Sequence, residues 1–267
     1  MHSSTVRPAA VAGLFYPSAI DELRRSVDGM LAKASRDTHG LPPPKAMVAP
    51  HAGYIYSGPI AAHCYSLLLA AAGRIERVVL FGPTHRVAVN GIALPDADCF
   101  DTPLGRVNVD MEACAQLKSM PQVLVYDPAH TWEHSLEVHL PFLQRTLGSF
   151  NLVPLAVGHV DPDHVAAVME ALWGGKETLV VVSSDLSHFH PYHEAQVMDS
   201  ASVAALVSLG GPLNHEQACG ATAINALLKV ARHRSMRPRL LDLRNSGDTA
   251  GDRARVVGYC SVGFWED

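Results

Sequence analysis

The chain has 267 residues, enough for one large core or two small ones, and its 48% hydrophobic and 18% charged residues exclude a disordered chain. A net charge of −5 argues against a nucleic-acid-binding surface, which needs clustered Lys and Arg. No apolar stretch nears the ~20 residues of a membrane span, and Met1–Arg7 lacks the apolar core of a signal peptide, so a cytoplasmic protein is expected.

In chain order, a first helix is predicted from about Ile20 to Ala34. The linker-like stretch Thr38–Pro44 then leads into a strand, Ala46–Ala49, which stops at Pro50-His51-Ala52-Gly53-Tyr54. Pro59–Ala72 reads as a helix closed by Gly73. Arg77–Phe81 is a strand followed by Gly82-Pro83-Thr84-His85, and Ile92–Leu94 is a weaker one. Asp110 is a candidate N-cap for a helix through Lys118, and Val123–Tyr126 is a short strand. Thr131 is placed as the cap of a helix that runs through Glu133-His134-Ser135 to Leu147, restarted or kinked at Pro141 and closed by Gly148. Leu152–Val157 is a strand, Asp161 a cap, and Pro162–Trp173 a helix. Leu179–Val182 is a strand that delivers Ser183-Ser184-Asp185-Leu186-Ser187-His188. Helices at Pro191–Leu209 and Ala221–Arg232 and strands at Arg239–Leu243 and Val256–Phe264 complete the chain. Strands alternate with helices, so the expected class is α/β: a single domain, residues 1–267, with a mixed, mainly parallel central sheet flanked by helices.

Three apolar runs end within a few residues of a histidine, and ligands in open α/β sheets bind outside the carboxyl ends of such strands. His51, His85 and the Asp185/His188 pair are therefore expected at one rim. Neutral imidazole is the commonest metal ligand, which suggests a metal site. Taken singly, His51 and His85 are equally read as histidines of tight turns, and Asp185 as a cap. Asp185 and His188 also suit a carboxylate–imidazole pair that fixes a tautomer. A serine hydrolase is disfavoured because no Gly-x-Ser-x-Gly elbow occurs. A zincin is disfavoured because His134 and His139 stand five apart, about 140° around a helix. His134 is the better site candidate and His139 the better core histidine. The five cysteines form no C-x-x-C pair, and most are expected as buried thiols. Cys219 differs, because it precedes a helix whose N-terminus favours a thiolate, although a buried residue at a cap is the plainer reading.

These motifs, with Arg7-Pro8, Ala12–Pro17, Cys219-Gly220, Asn245–Asp248 and Val257-Gly258-Tyr259, run in order nearly end to end. Together they resemble the Memo family, whose bacterial and archaeal members are called AmmeMemoRadiSam system protein B. That family resembles in fold the class III extradiol ring-cleavage dioxygenases, non-haem iron enzymes with a two-histidine, one-carboxylate site. The resemblance implies His51 and His85 as metal ligands with Cys219 in the carboxylate's place. It implies His134 as the acid/base histidine, with Asp185 and His188 lining the pocket. Iron is the first expectation for the metal, with copper or zinc as alternatives. A thiolate makes the set softer, which favours Cu(I) or Zn, and it is vulnerable to oxygen chemistry. The histidine that some members carry shortly after Cys-Gly is replaced by Ala221-Thr222-Ala223. The implied function is a metal-dependent oxidoreductase acting on an unidentified substrate, a small organic molecule or a modified biomolecule. A non-catalytic metal- or phosphopeptide-binding protein is the alternative, and a zinc hydrolase a third reading. Radical-SAM and AMMECR-type proteins are the partners the family suggests.

Overall fold

The computed structural model describes residues 5–38 and 40–266, so the signal-peptide reading falls partly on Met1–Ser4, outside the described residues. The chain runs β1 (Val6–Arg7), α1 (Ile20–Asp37), β2 (Ala46–Ala49), α2 (Tyr54–Ser66), β3 (Arg77–Pro83), β4 (Ile92–Leu94), β5 (Cys99–Thr102), β6 (Gly105–Val109), α3 (Met111–Leu117), β7 (Val123–Val125), α4 (Pro128–Thr131), α5 (Leu140–Leu147), β8 (Asn151–Val157), α6 (Pro162–Ala171), β9 (Thr178–Ser183), β10 (His188–His190), α7 (Tyr192–Val207), α8 (Ala221–His233), β11 (Arg237–Asn245) and β12 (Val256–Trp265). The strands join in one mixed sheet whose main path is β1-β5-β6-β8-β3-β9-β2-β12-β10, with β11 beside β12 and β4 and β7 branching from β8. Its centre, β8-β3-β9-β2, is parallel, and the antiparallel pairings gather at β12 and around β4 and β5.

The central strands are the uninterrupted apolar runs. Every residue of β2 and β9 is buried, as a parallel sheet covered on both faces requires. Helix α1 presents Leu23, Val27, Leu31 and Ala34 as one buried stripe, and it packs with α2 and α5, while α6 packs on α8. Asp110 and Asp161 cap their helices as expected, accepting from the Ala113 and Asp163 N–H groups. Cys64, Cys99, Cys114 and Cys260 are buried free thiols, as expected. Among the described residues, no helix is long and apolar enough to cross a membrane.

Two local expectations fail for physical reasons. Helix α2 begins at Tyr54, not Pro59, because the Tyr54 N–H donates to the Phe15 carbonyl and starts the helix from outside its own sequence. Thr131 ends the short α4 and does not cap a longer helix. Arg7 donates to the His130 and Glu133 carbonyls, and the Glu133 carboxylate accepts from the Ser135 N–H. These bonds hold the stretch in irregular turns, and regular helix resumes only at Leu140, with Pro141 in its first turn. The β5–β6 hairpin and the short β1 and β10 strands carry no apolar run and were not anticipated.

Candidate metal centre

Strands β3, β9 and β2 lie side by side in parallel, so their carboxyl ends share one rim. His51 follows β2, His85 follows β3, and Ser183 and Asp185 sit at and just past the end of β9. The loop before α5 brings His134 to the same place, with its ring stacked on His85 at 4.6 Å between centroids and 5.4 Å from that of His51. Donor atoms of His51, His85 and His134 all lie within 4.8 Å of one another, a group that could hold a metal ion.

The hydrogen bonds fix how two of these rings present themselves. The Ser183 hydroxyl donates to the Ser135 carbonyl at 2.6 Å, which commits its only proton. Its oxygen must therefore accept from His51 Nδ1, 2.6 Å away, and the His51 Nε2 lone pair is left free. His85 Nδ1 lies 2.9 Å from Glu133 Oε1, and the His85 backbone N–H donates to Glu133 Oε2 at 2.6 Å. Burial alone would raise the pKa of this carboxyl, but hydrogen bonds from the His85 side chain and from the His85 and Ser135 backbones hold it at about 2. An ionised Glu133 only accepts, so His85 Nδ1 carries the proton and Nε2 is again the open donor. An acceptor behind the ring, here the Ser183 hydroxyl for His51 and the Glu133 carboxylate for His85, is how metal-binding histidines are oriented. His134 differs. Its Nδ1 is buried with no hydrogen-bond partner, although Glu133 Oε1 lies 3.3 Å away.

Cys219 joins from the start of α8. Its Sγ lies 3.4 Å from His51 Nε2 and 3.3 Å from the Asp185 N–H, which donates to it. Gly220 makes this approach possible, because a Cβ there would lie 2.6 Å from the Ser183 carbonyl oxygen. The expected lowering of the thiol pKa by the helix N-terminus does not occur. Burial, followed by the nearby Asp185 carboxylate, pushes Cys219 up to about 12. Asp185 itself serves His51 and not His188: its Oδ1 accepts the His51 N–H at 2.8 Å, and its Oδ2 lies 4.0 Å from His51 Nε2. Burial raises its pKa to about 7 against the opposing backbone hydrogen bond from His51. The expected Asp185–His188 pair is not formed among the described contacts. His188 opens β10 at the edge of the site, where burial, partly offset by its bond to the Leu186 backbone, lowers its pKa. His139 is the buried core histidine expected of it, with Nδ1 on the Tyr65 hydroxyl at 2.7 Å.

The donor set fits a metal. Burial first, then the neighbouring imidazoles, drives His51 well below the usual histidine range, and burial brings His134 to about 4. Both rings are thus neutral near pH 7 and offer lone pairs. Two ligands on a tetrahedral metal at ordinary bond lengths of ~2.1–2.3 Å stand about 3.5 Å apart, which matches the 3.4 Å from His51 Nε2 to Cys219 Sγ. Sequence reasoning missed Glu133, Ser135 and Ser183 as orienting groups. All three sit inside the motifs that drew attention to the histidines, but their partners lie 48 or more residues away in sequence.

A family model described as Memo-like protein matches residues 7–263. A MEMO1 family protein of Aeropyrum pernix is 35% identical, over 96% of this chain and 99% of its own length. Those of Ignicoccus hospitalis and Aquifex aeolicus are 36% and 34% identical, each over 97% of this chain and at least 98% of their own. A crystal structure of an uncharacterized Escherichia coli K12 protein shares the fold at 15% identity, with a TM-score of 0.51, over 81% of this chain and 98% of that one.

Proposed function

The chain belongs to the Memo-like protein family, and from that premise we propose that it is a metal-dependent oxidoreductase acting on a small molecule. The observation that carries this is the convergence of three imidazoles on one rim, with a thiol 3.4 Å from one of them. His51 Nε2, His85 Nε2 and the Cys219 thiolate would hold the ion, and iron, copper or zinc each suits part of this set. When bound, such an ion supplies Lewis acidity and, if redox-active, one-electron chemistry.

The chain's own residues orient and move protons. Ser183 and Glu133 hold the two ligand rings in the Nε2-presenting tautomer. Cys219 is a thiol at rest, so taking up a metal requires it to give up a proton. At rest the thiol faces the Asp185 backbone carbonyl at 3.6 Å, and the Asp185 N–H, 3.3 Å away, would stabilise the thiolate once that proton is gone. His134, neutral and stacked on His85, is the proton acceptor beside the ligand rings, a role worth ~10² to 10⁴ in rate for a positioned group.

The histidine cluster itself favours a second reading of the third ligand, in which His134 binds the ion and Cys219 stays a thiol. Metal content and oxygen uptake with catechols, measured on the anaerobically purified protein, test both. The proposal expects His134→Ala to keep the metal and lose turnover, and Cys219→Ser to lose the metal. Metal lost from His134→Ala but kept in Cys219→Ser would select the second reading, and oxygen uptake that persists in His134→Ala would remove that residue from the chemistry.

A further inference from the structure

Phe189 is the most unusual residue beside the site. It follows His188 in β10 with φ of +64°, in the left-handed region that bulky side chains rarely adopt. The register explains how it is held there. His188 pairs with Val257 and His190 with Val256, so Phe189 is the extra residue of a β-bulge. Bulges next to functional sites re-aim a side chain. Here the ring is aimed outward and is 60% exposed. The fold thus maintains a strained backbone in order to present an aromatic ring to solvent, the reverse of what packing alone would select.

The ring's surroundings indicate what it faces. The Arg255 guanidinium lies 5.0 Å from the centroid of Phe189, and His188 meets the ring edge-on at 5.7 Å. Among the described residues, no carboxylate pairs with Arg255, whereas Arg7, Arg77, Arg145, Arg234 and Arg244 all have acidic partners. A second exposed arginine, Arg253, lies over Tyr192 at 4.4 Å just beyond. His188 stands three residues past Asp185, whose carboxylate holds the His51 N–H, so this patch adjoins the rim that carries the metal centre.

We propose that Phe189 and Arg255 form a binding platform at the mouth of the metal centre for an organic anion with a planar apolar body, of the aromatic carboxylate class. The ring of such a ligand stacks on Phe189 and its anionic group takes the free guanidinium edge of Arg255. Stacking on an exposed aromatic and pairing with a guanidinium need different parts of one ligand, which is why neither an aliphatic anion nor a neutral aromatic is the better fit. This inference rests on reading the centre as a site that receives a small molecule.

Benzoate and benzyl alcohol, titrated into the isotope-labelled metal-loaded protein and followed by amide shifts, test it. The expected result is that benzoate shifts amides around 188–190 and 253–256 and that benzyl alcohol binds at least tenfold more weakly. Phe189→Gly and Arg255→Gln should each weaken benzoate at least tenfold with metal content unchanged. Phe189→Gly should also melt no lower than the parent, because glycine accepts φ of +64° without strain. Benzoate that still binds both variants at parental affinity overturns the platform. So does a drop of several degrees in the melting temperature of Phe189→Gly, which would make the ring a packing element. His85→Ala keeps this separate from the metal reading. Benzoate shifts at the same amides in that variant support the platform whether or not the variant holds metal. Benzoate binding that vanishes only in His85→Ala, and in neither platform variant, would make benzoate a simple metal ligand and the platform wrong.

Discussion

At the scale of single residues, the candidate site depends on groups behind the rings that would hold an ion. Ser183 has one proton and gives it to a backbone carbonyl, and that commitment forces the His51 tautomer. Glu133 does the same for His85, as an ionised carboxylate buried beneath the ring. Outer-shell partners of this kind are worth ~10–100-fold in metal affinity. Ser183→Ala and Glu133→Gln are therefore expected to weaken metal binding by roughly that factor, as measured by competition with a chromogenic chelator. Unchanged affinity in both would mean that the rings are oriented by packing alone. The motifs made the histidines legible, because residue type and position after a strand suffice to find them. Glu133 and Ser183 stand in the same motifs, but their roles are not legible there, since a tautomer depends on a partner that only the fold brings near.

At the scale of elements, the N-terminal segment is fastened across the site by a buried ion pair. Arg7 in β1 pairs with Glu137, and both side chains are almost wholly buried. The Glu137 carboxylate also accepts from the Ala10 and Val11 N–H groups and from the Tyr16 hydroxyl. Phe15 from the same segment lies 4.5 Å from the His134 ring. Removing one partner of such a pair leaves an uncompensated buried charge, so Glu137→Gln is expected to cost about 3–5 kcal/mol in urea unfolding. A loss under about 1 kcal/mol would show that the segment holds by apolar contact. The strand-end rule predicted the rim correctly because β2, β3 and β9 are adjacent in the sheet. It could not foresee that Arg7 would claim the His130 and Glu133 carbonyls and unwind the stretch read as helix.

At the scale of the molecule, burial of neutral histidines ties stability to pH. Burial is the main cause that brings His130 to about 4 and His139 to about 3. The unfolded chain binds these protons near pH 6.5, before the folded one does, so their contribution is complete above about 6.5 and is lost as pH falls toward 4. Asp185, raised to about 7, works in the opposite sense and offsets part of the loss. The metal-free protein should melt lower at pH 5 than at pH 7.5, and His139→Gln should narrow that gap. An unchanged gap in the variant would remove His139 from the account. The α/β class and the central sheet were legible because parallel strands buried on both faces are continuous apolar runs. The edge elements β1, β5, β6 and β10 were not, since they owe their pairing to the sheet beside them. The proposed ligands of a metal ion are His51, His85 and Cys219. X-ray absorption on anaerobically isolated protein reads that set, and the expected result is about one metal per chain with histidine nitrogens at ~2.1 Å and one sulfur at ~2.3 Å. A protein that binds no metal, or a bound metal with no sulfur neighbour, would contradict it.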